Sequence, residues 1–337
     1  MGTCSVLAAF FERNKHGGIS YVTSNFVKTL LFPASFLCAL GSFSISAADT
    51  SLDAMELANK VYAVAHEEDL RNAISKRTGR AASMVVNRVP LEMRKGRKPH
   101  IQTFDTYINN KPADPQIDTL QMAILTSGKA KGTGILVTRY FDPQRGTTLS
   151  IWLPALRKER HVNEPQYEDV WFGTNLTYGE LVLRKPEDET HELLGEATLE
   201  DCLGTMVFEP WEKNRYTEAL PGEQCGHRGR AVLLLKSTTK FVNWWYDYHI
   251  TEIDKETFWP YRTVYFKNGK KIKTVEVDWQ SLGLADPKLA YPRYIYSVSL
   301  DDGRDSMVYV PRKTISLNTD IADGFWSIDT IRDYLKK

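Results

Sequence analysis

The chain has little of what enzyme signatures are made of. There is no GxSxG segment, so no nucleophile elbow is encoded. The run His191-Glu192-Leu193-Leu194-Gly195 starts like a zinc-protease helix but lacks the second histidine, so two ligands on one helical face cannot form. Gly132-Thr133-Gly134 lacks the third glycine of a dinucleotide loop and opens a strand instead of a helix, and no phosphate-binding P-loop is present. The seven histidines are scattered along the chain. Carboxylate pairs such as Glu67-Glu68 and the acidic patch at 187–189 have the look of solvated loops; a pair brought together from distant strands would not be visible in sequence. Net charge is also missing: the formal total is +1 over 337 residues. Arg13, Lys15 and Lys28 against Glu12 leave the rest of the chain about neutral, which argues against a general nucleic-acid binder. Linkers rich in Pro, Gly or Ser are absent, as are repeats of fixed period, so nothing divides the chain into several folded domains.

Long apolar runs are scarce too, with one exception. Lys28 precedes an apolar stretch from Thr29 to Ile45, and Ser46-Ala47-Ala48 offers small residues before Asp49. That is the layout of an export signal with cleavage after residue 48, and the run is short of the ~20 residues a membrane span needs. Pro33 and Gly41 inside it favour a cleaved signal over an anchor. Cys38 invites a lipoprotein reading, but Leu37 stands where a small residue is expected. Residues 49–337 are then expected to form a single exported domain.

Cysteine is sparse: four in all, of which Cys4 and Cys38 lie in the signal region. The mature chain keeps Cys202 and Cys225. In an oxidising compartment such a pair usually bonds, and closing this loop would stabilise the fold by roughly 3 kcal/mol in the chain-entropy model. A metal site is the alternative, with Cys202, Cys225 and His227 as three soft ligands, and free thiols are a third possibility.

What is present is strand rhythm. Residues 51–70 first carry a helical pattern, with Leu52, Met55, Ala58, Val61, Tyr62 and Ala65 on one face and acidic residues in the first turns. Strands are then expected over 82–89, 100–109 and 118–126, joined by Lys/Arg/Gly/Pro-rich turns that include the basic run Arg94-Lys95-Gly96-Arg97-Lys98, which reads as a solvated loop or as a contact for phosphate or lipid headgroups. Ile135 and Val137, and Leu149, Ile151 and Leu153, alternate with their neighbours across the turn 142–146. The basic tract Arg157–His161 reads as a charged edge strand or as a ligand contact. A polar stretch follows to Glu200, then a long loop over 211–230. Strands resume over 231–238, 244–254, 261–267 and 272–279, with Asn268-Gly269 as a hairpin turn, and a last hairpin spans 294–311. A closing helix is expected over 325–335, with Ser327 as a cap. The fold class is mainly β (α+β): a half-open antiparallel β-barrel of about ten or eleven strands with a helix at each end and no βαβ alternation.

Three segments together, Lys131-Gly132-Thr133, Trp152-Leu153-Pro154-Ala155-Leu156-Arg157-Lys158-Glu159-Arg160 and Phe172-Gly173-Thr174-Asn175-Leu176-Thr177-Tyr178-Gly179-Glu180-Leu181, resemble the outer membrane lipoprotein-sorting (LolA-like) family. The resemblance is tight over about fifty residues and elsewhere extends to strand rhythm and the closing helix. It implies a periplasmic protein whose helices act as a lid over an apolar cavity, no enzymatic activity and no cofactor. The implied cargo is a lipid or lipoprotein acyl chain. The implied partners are an inner-membrane transporter (RND or ABC type) and an outer-membrane acceptor. The expected ligand contacts are Leu120, Met122, Ile124, Ile135, Val137, Leu149, Ile151 and Leu153, with Phe172 of the matched motif and Trp171 just before it. Period-2 alternation leaves either pleat as the inward one. A periplasmic sensor or regulatory binding module on the same fold is the alternative function.

Overall fold

A computed structural model describes residues 52–336, apart from 68, 143, 164, 165 and 287. The expected export signal, with Cys4 and Cys38, lies outside the described residues. No helix among the described residues is long and apolar enough to cross a membrane.

The chain opens with helix α1, Ala54–Ala65, whose Leu57 and Ala58 pack on Leu233, Leu235 and Ile253. Fifteen strands follow. They are β1 (Asn72–Ser75), β2 (Ser83–Arg88), β3 (His100–Asn109), β4 (Ile117–Leu125), β5 (Gly134–Tyr140), β6 (Thr148–Leu153), β7 (Lys158–Val162), β8 (Glu189–Thr198), β9 (Ala231–Thr239) and β10 (Tyr248–Asp254). Then come β11 (Pro260–Lys267), β12 (Lys270–Ser281), β13 (Ala290–Ser299), β14 (Asp305–Tyr309) and β15 (Ile315–Leu317), and helix α2, Ile328–Asp333.

All pairings are antiparallel and form one sheet, in the order β7-β6-β5-β4-β3-β2-β14-β13-β12-β11-β10-β9-β8. β1 pairs with β3 and with β15 beside that path. The ends β7 and β8 do not pair with each other, so the sheet stays open, as a half-open barrel does. Its strand count exceeds the expected ten or eleven. The strands missing from the sequence reading are β1, β15 and the polar β8. β8 is an edge strand with a bulge between Leu193 and Gly195, so little apolar alternation marks it.

The two faces of the sheet have different covers. On one face α1 and the segment 166–185 lie over β3–β5 and β9–β14. On the other, Met84, Val86, Val232, Leu234, Trp279 and Met307 pack under the long link 199–230 through Leu199, Leu203 and Met206. Cys202 and Cys225 are bonded within that link, which decides between the disulfide and the metal readings in favour of the disulfide. Further along the same face, α2 sends Ile331, with Trp326, onto Leu120, Met122 and Ile124. Gly134 permits this approach, because a Cβ there would collide with Ile331. The closing helix therefore buttresses the back of the sheet; of the two α-helices among the described residues it is α1 that lies over the chambers, sharing the roof with residues 181–182.

Candidate functional site

The face under α1 holds two adjoining apolar chambers. The first has a volume of about 210 Å³ and is walled by Phe104, Thr106, Ala123, Ile135, Val137 and Val308, with Trp171 at its side. The second, about 200 Å³, is walled by Leu235, Ile253, Val275 and Val277, with Glu189, His249 and Arg184 along its polar edge. Both are bordered by Ala65, His66, Leu181, Val182, Pro292 and Ile295. The end of α1 and residues 181–182 thus separate one chamber from the other. Each alone is smaller than the roughly 300 Å³ at the low end of ligand pockets; joined, they exceed it.

The roof segment is built by local sequence. Thr177 and Glu180 form a reciprocal capping box: the Thr177 N–H donates to Glu180 Oε2 at 2.7 Å, and the Glu180 N–H donates to Thr177 Oγ1 at 3.1 Å. One turn, Gly179–Leu183, follows. Gly179 sits against Tyr167, where a Cβ would lie 3.0 Å from the Tyr167 carbonyl oxygen. The turn is tied to the sheet by the buried Lys273–Glu180 pair at 2.6 Å. Burial pushes the Lys273 amine down, and Glu180 opposes that shift. Asn175 adds a second tie, its N–H donating to Ser306 Oγ at 2.9 Å.

At the junction, the His66 ring stacks on Tyr62 with centroids 3.9 Å apart, and its Nδ1 meets the Tyr62 carbonyl oxygen at 2.9 Å. Burial, with the Arg139 charge, lowers it to about 3, so it is neutral at pH 7. Burial pushes the adjacent Glu67 carboxyl up to about 7. Glu67 holds a left-handed backbone (φ 54°), ending α1 beside the first chamber.

The polar edge gathers residues far apart in sequence. Tyr246 donates to Glu189 Oε1 at 2.7 Å, His249 Nε2 lies 3.1 Å from Glu189 Oε2, and Arg184 Nε lies 3.7 Å from the same oxygen. Burial alone would raise the Glu189 carboxyl; His249 and Arg184, with hydrogen bonds from His249 and Tyr246, hold it well below the usual carboxylate range. Burial lowers His249. On its other side His249 Nδ1 is 3.2 Å from Thr251 Oγ1, so a Thr–His–Glu series lines the second chamber. It has the residue types of an acyl-transfer triad. Glu189, however, is also held by Arg184 and Tyr246, and Thr251 Oγ1 is shared with Thr263 Oγ1 at 3.1 Å. The arrangement is that of a satisfied buried network.

The expected ligand residues divide between the two faces. Ile135, Val137 and Leu149 are buried on the chamber face, with Ile151, Phe172 and buried Trp171 packed in the same cluster. Trp171 meets Phe104 edge-on at 5.4 Å. Leu153 ends β6 on the pleat of Leu149 and Ile151. Leu120, Met122 and Ile124 belong to the opposite pleat. Register decides this: Met122 pairs with Leu136, whereas Ala123 pairs with Ile135. Met122 touches the first chamber's wall, but its side chain joins Trp326 and Ile331 behind the sheet. The basic tract proves to be the exposed edge strand β7, with His161 Nε2 3.1 Å from Glu159. Sequence reasoning missed Phe104, Ala123 and the roof residues His66, Leu181 and Val182. The alternation of β3 carried a signal for Phe104; the roof, a single turn, carries no period.

A family model described as "Uncharacterized protein" matches residues 118–331, well over half of the chain. No curated protein sequence matches. Three crystal structures are similar in fold. A domain from Vibrio parahaemolyticus described as outer membrane lipoprotein-sorting aligns with a TM-score of 0.58 at 12% identity, covering 83% of this chain and 98% of that one. A DUF1329 family protein from Desulfovibrio piger aligns with a TM-score of 0.57 at 13% identity, covering 81% and 98%. A LolA superfamily protein from Nitrosomonas europaea aligns with a TM-score of 0.50 at 12% identity, covering 82% and 98%. The chain belongs to the family described as "Uncharacterized protein", and its fold is the LolA-like one of the lipoprotein-sorting proteins.

Proposed function

We propose that this protein is a non-enzymatic periplasmic carrier that takes a lipid or lipoprotein acyl chain into the two chambers, after an export signal ending at residue 48 is removed. The observation that carries the reading is the pair of apolar chambers under a roof made of one helix end and one turn. Each methylene kept from water is worth about 0.8 kcal/mol, so an acyl chain of roughly sixteen carbons faces a barrier on the order of 10 kcal/mol in crossing water unescorted. An apolar slot lowers that barrier. The chambers join when Leu181, Val182 and His66 draw aside, and the polar edge at Arg184 and Glu189 would then face the polar end of the cargo. An inner-membrane transporter would load the carrier and an outer-membrane acceptor would empty it.

The test is mass spectrometry of lipid extracted from residues 49–337 purified without detergent, with uptake of a fluorescent fatty acyl probe as the second readout. The expected result is near-stoichiometric lipid, and probe uptake that is lost in Ala123→Phe, which fills the first chamber, but kept in Met122→Leu, which alters the back of the sheet. An empty protein that takes up no probe would overturn the carrier reading.

A further inference from the structure

The antiparallel order puts six hairpin links at one end of the sheet: β6–β7, β4–β5, β2–β3, β13–β14, β11–β12 and β9–β10. They come from neighbouring strand pairs in succession, so they form a continuous rim. These links hold nine basic and four acidic residues, whereas the four short links at the opposite end hold four of each; the fifth, 199–230, lies along the back of the sheet. The asymmetry is hidden in a chain whose formal total is +1.

Several of the rim cations are exposed and have no acidic partner within ion-pair distance among the described residues. They are Lys95, Arg97 and Lys98 in the β2–β3 link and Lys129 and Lys131 in the β4–β5 link. Arg157 before β7 and Lys270 after the β11–β12 turn are likewise exposed. Large apolar side chains stand among them in the open: Leu91 is 63% exposed, Met93 46%, Leu156 63% and Val242 88%. The β2–β3 and β13–β14 tips touch, since the Leu91 N–H donates to the Asp302 carbonyl oxygen at 2.8 Å.

We infer that this rim docks on the surface of an anionic phospholipid bilayer. Charge selects a negative partner. The apolar side chains choose between a bilayer and an acidic protein. A protein interface gathers its apolar area into one packed core. Here the apolar residues are spread over three links, Leu91 and Met93 in β2–β3, Leu156 in β6–β7 and Val242 in β9–β10, and the first two links also carry exposed cations, the arrangement that lets tips enter the headgroup region while lysines meet the phosphates. The inference stands on the rim and does not require a filled cavity.

The experiment is vesicle flotation of residues 49–337 with phosphatidylglycerol–phosphatidylcholine vesicles and with phosphatidylcholine alone, at about 0.05 M and about 0.5 M salt. Binding is expected to the anionic vesicles only and to weaken at high salt. Each cation near an anionic surface contributes a factor of roughly 5, so Lys95→Gln with Lys98→Gln should weaken partitioning roughly 25-fold. Leu156→Ser with Val242→Ser should also weaken it, while Phe141→Ser at the opposite rim should not. All these positions are exposed, and circular dichroism checks that each variant is folded. No flotation, equal flotation with neutral vesicles, or rim variants that float like the parent would overturn the inference. Loss on removing charge with full retention after replacing the apolar tips would overturn the part given to those tips and, with it, the ground for preferring a bilayer to an acidic protein. Ala123→Phe, which tests the cavity, is expected to float normally, so the two readings fail separately.

Discussion

Two adjacent groups at the junction of the chambers should oppose each other in how stability depends on pH. His66 is held down to about 3 by burial and Arg139, against 6.5 when unperturbed. Below pH 6.5 the unfolded chain binds a proton that the folded chain refuses, so this group makes stability fall as pH falls from 6.5 towards 3. Glu67 is pushed up to about 7 by burial, against 4.5. Between pH 4.5 and 7 the folded chain keeps a proton that the unfolded chain has lost, so this group makes stability fall as pH rises through that window. One proton of difference is worth about 1.4 kcal/mol per pH unit. From pH 4.5 to 6.5 each unfolded group is half-titrated at one end of the interval, so each contributes about 2 kcal/mol instead of the full two units' worth, and the two contributions nearly cancel. Glu67→Gln should expose the histidine's slope: relative to the parent, stability rises by about 2 kcal/mol on going from pH 4.5 to 6.5. His66→Gln should expose the opposite slope, falling by about 2 kcal/mol over the same interval. Urea unfolding at several pH values measures both. Comparison with the parent removes titrations that all three proteins share, such as that of buried His249. Three parallel pH profiles would refute the reasoning, because they would mean that neither group is desolvated at the junction.

Three further outcomes follow from the packing. Cys202→Ser with Cys225→Ser removes the disulfide of the back link and should cost roughly 3 kcal/mol, read as a lower urea midpoint and matched by reduction of the parent protein. Lys273→Met leaves Glu180 buried without its cation and should destabilise by about 3–5 kcal/mol, with hydrogen exchange rising first over Gly179–Leu183, the turn that the pair holds down. Arg88 is buried between Asp305 and Glu212, its Nε donating to Asp305 Oδ1 at 2.9 Å, and Arg88→Met should cost about 3–5 kcal/mol by leaving buried Glu212 without its cation and Asp305 with Arg94 alone, read as a lower urea midpoint. A Lys273→Met protein as stable as the parent would mean that this ion pair does not hold the roof down.

The sequence by itself determined the mainly β class, most of the strands, the hairpin turns, the helix that opens the described chain and the cysteine pair. These depend on properties a single stretch carries: alternation with period 2, residues able to take a turn's φ, and a helical apolar stripe. Tertiary structure alone decided which pleat faces the chambers. An alternating strand has two equivalent readings, and register removes the ambiguity only when a neighbour is in place; pairing Ala123 with Ile135 sends Leu120, Met122 and Ile124 to the back of the sheet. The same holds for α2, whose amphipathic pattern demands an apolar partner without saying on which face it lies. The polar edge is non-local as well, since Arg184, Glu189, Tyr246 and His249 come from separate elements and meet only when β8, β9 and β10 align. The rim's charge is the clearest case. Each basic turn reads as an ordinary solvated loop, and only the antiparallel order brings the three basic links, β2–β3, β4–β5 and β6–β7, side by side at one end of the sheet.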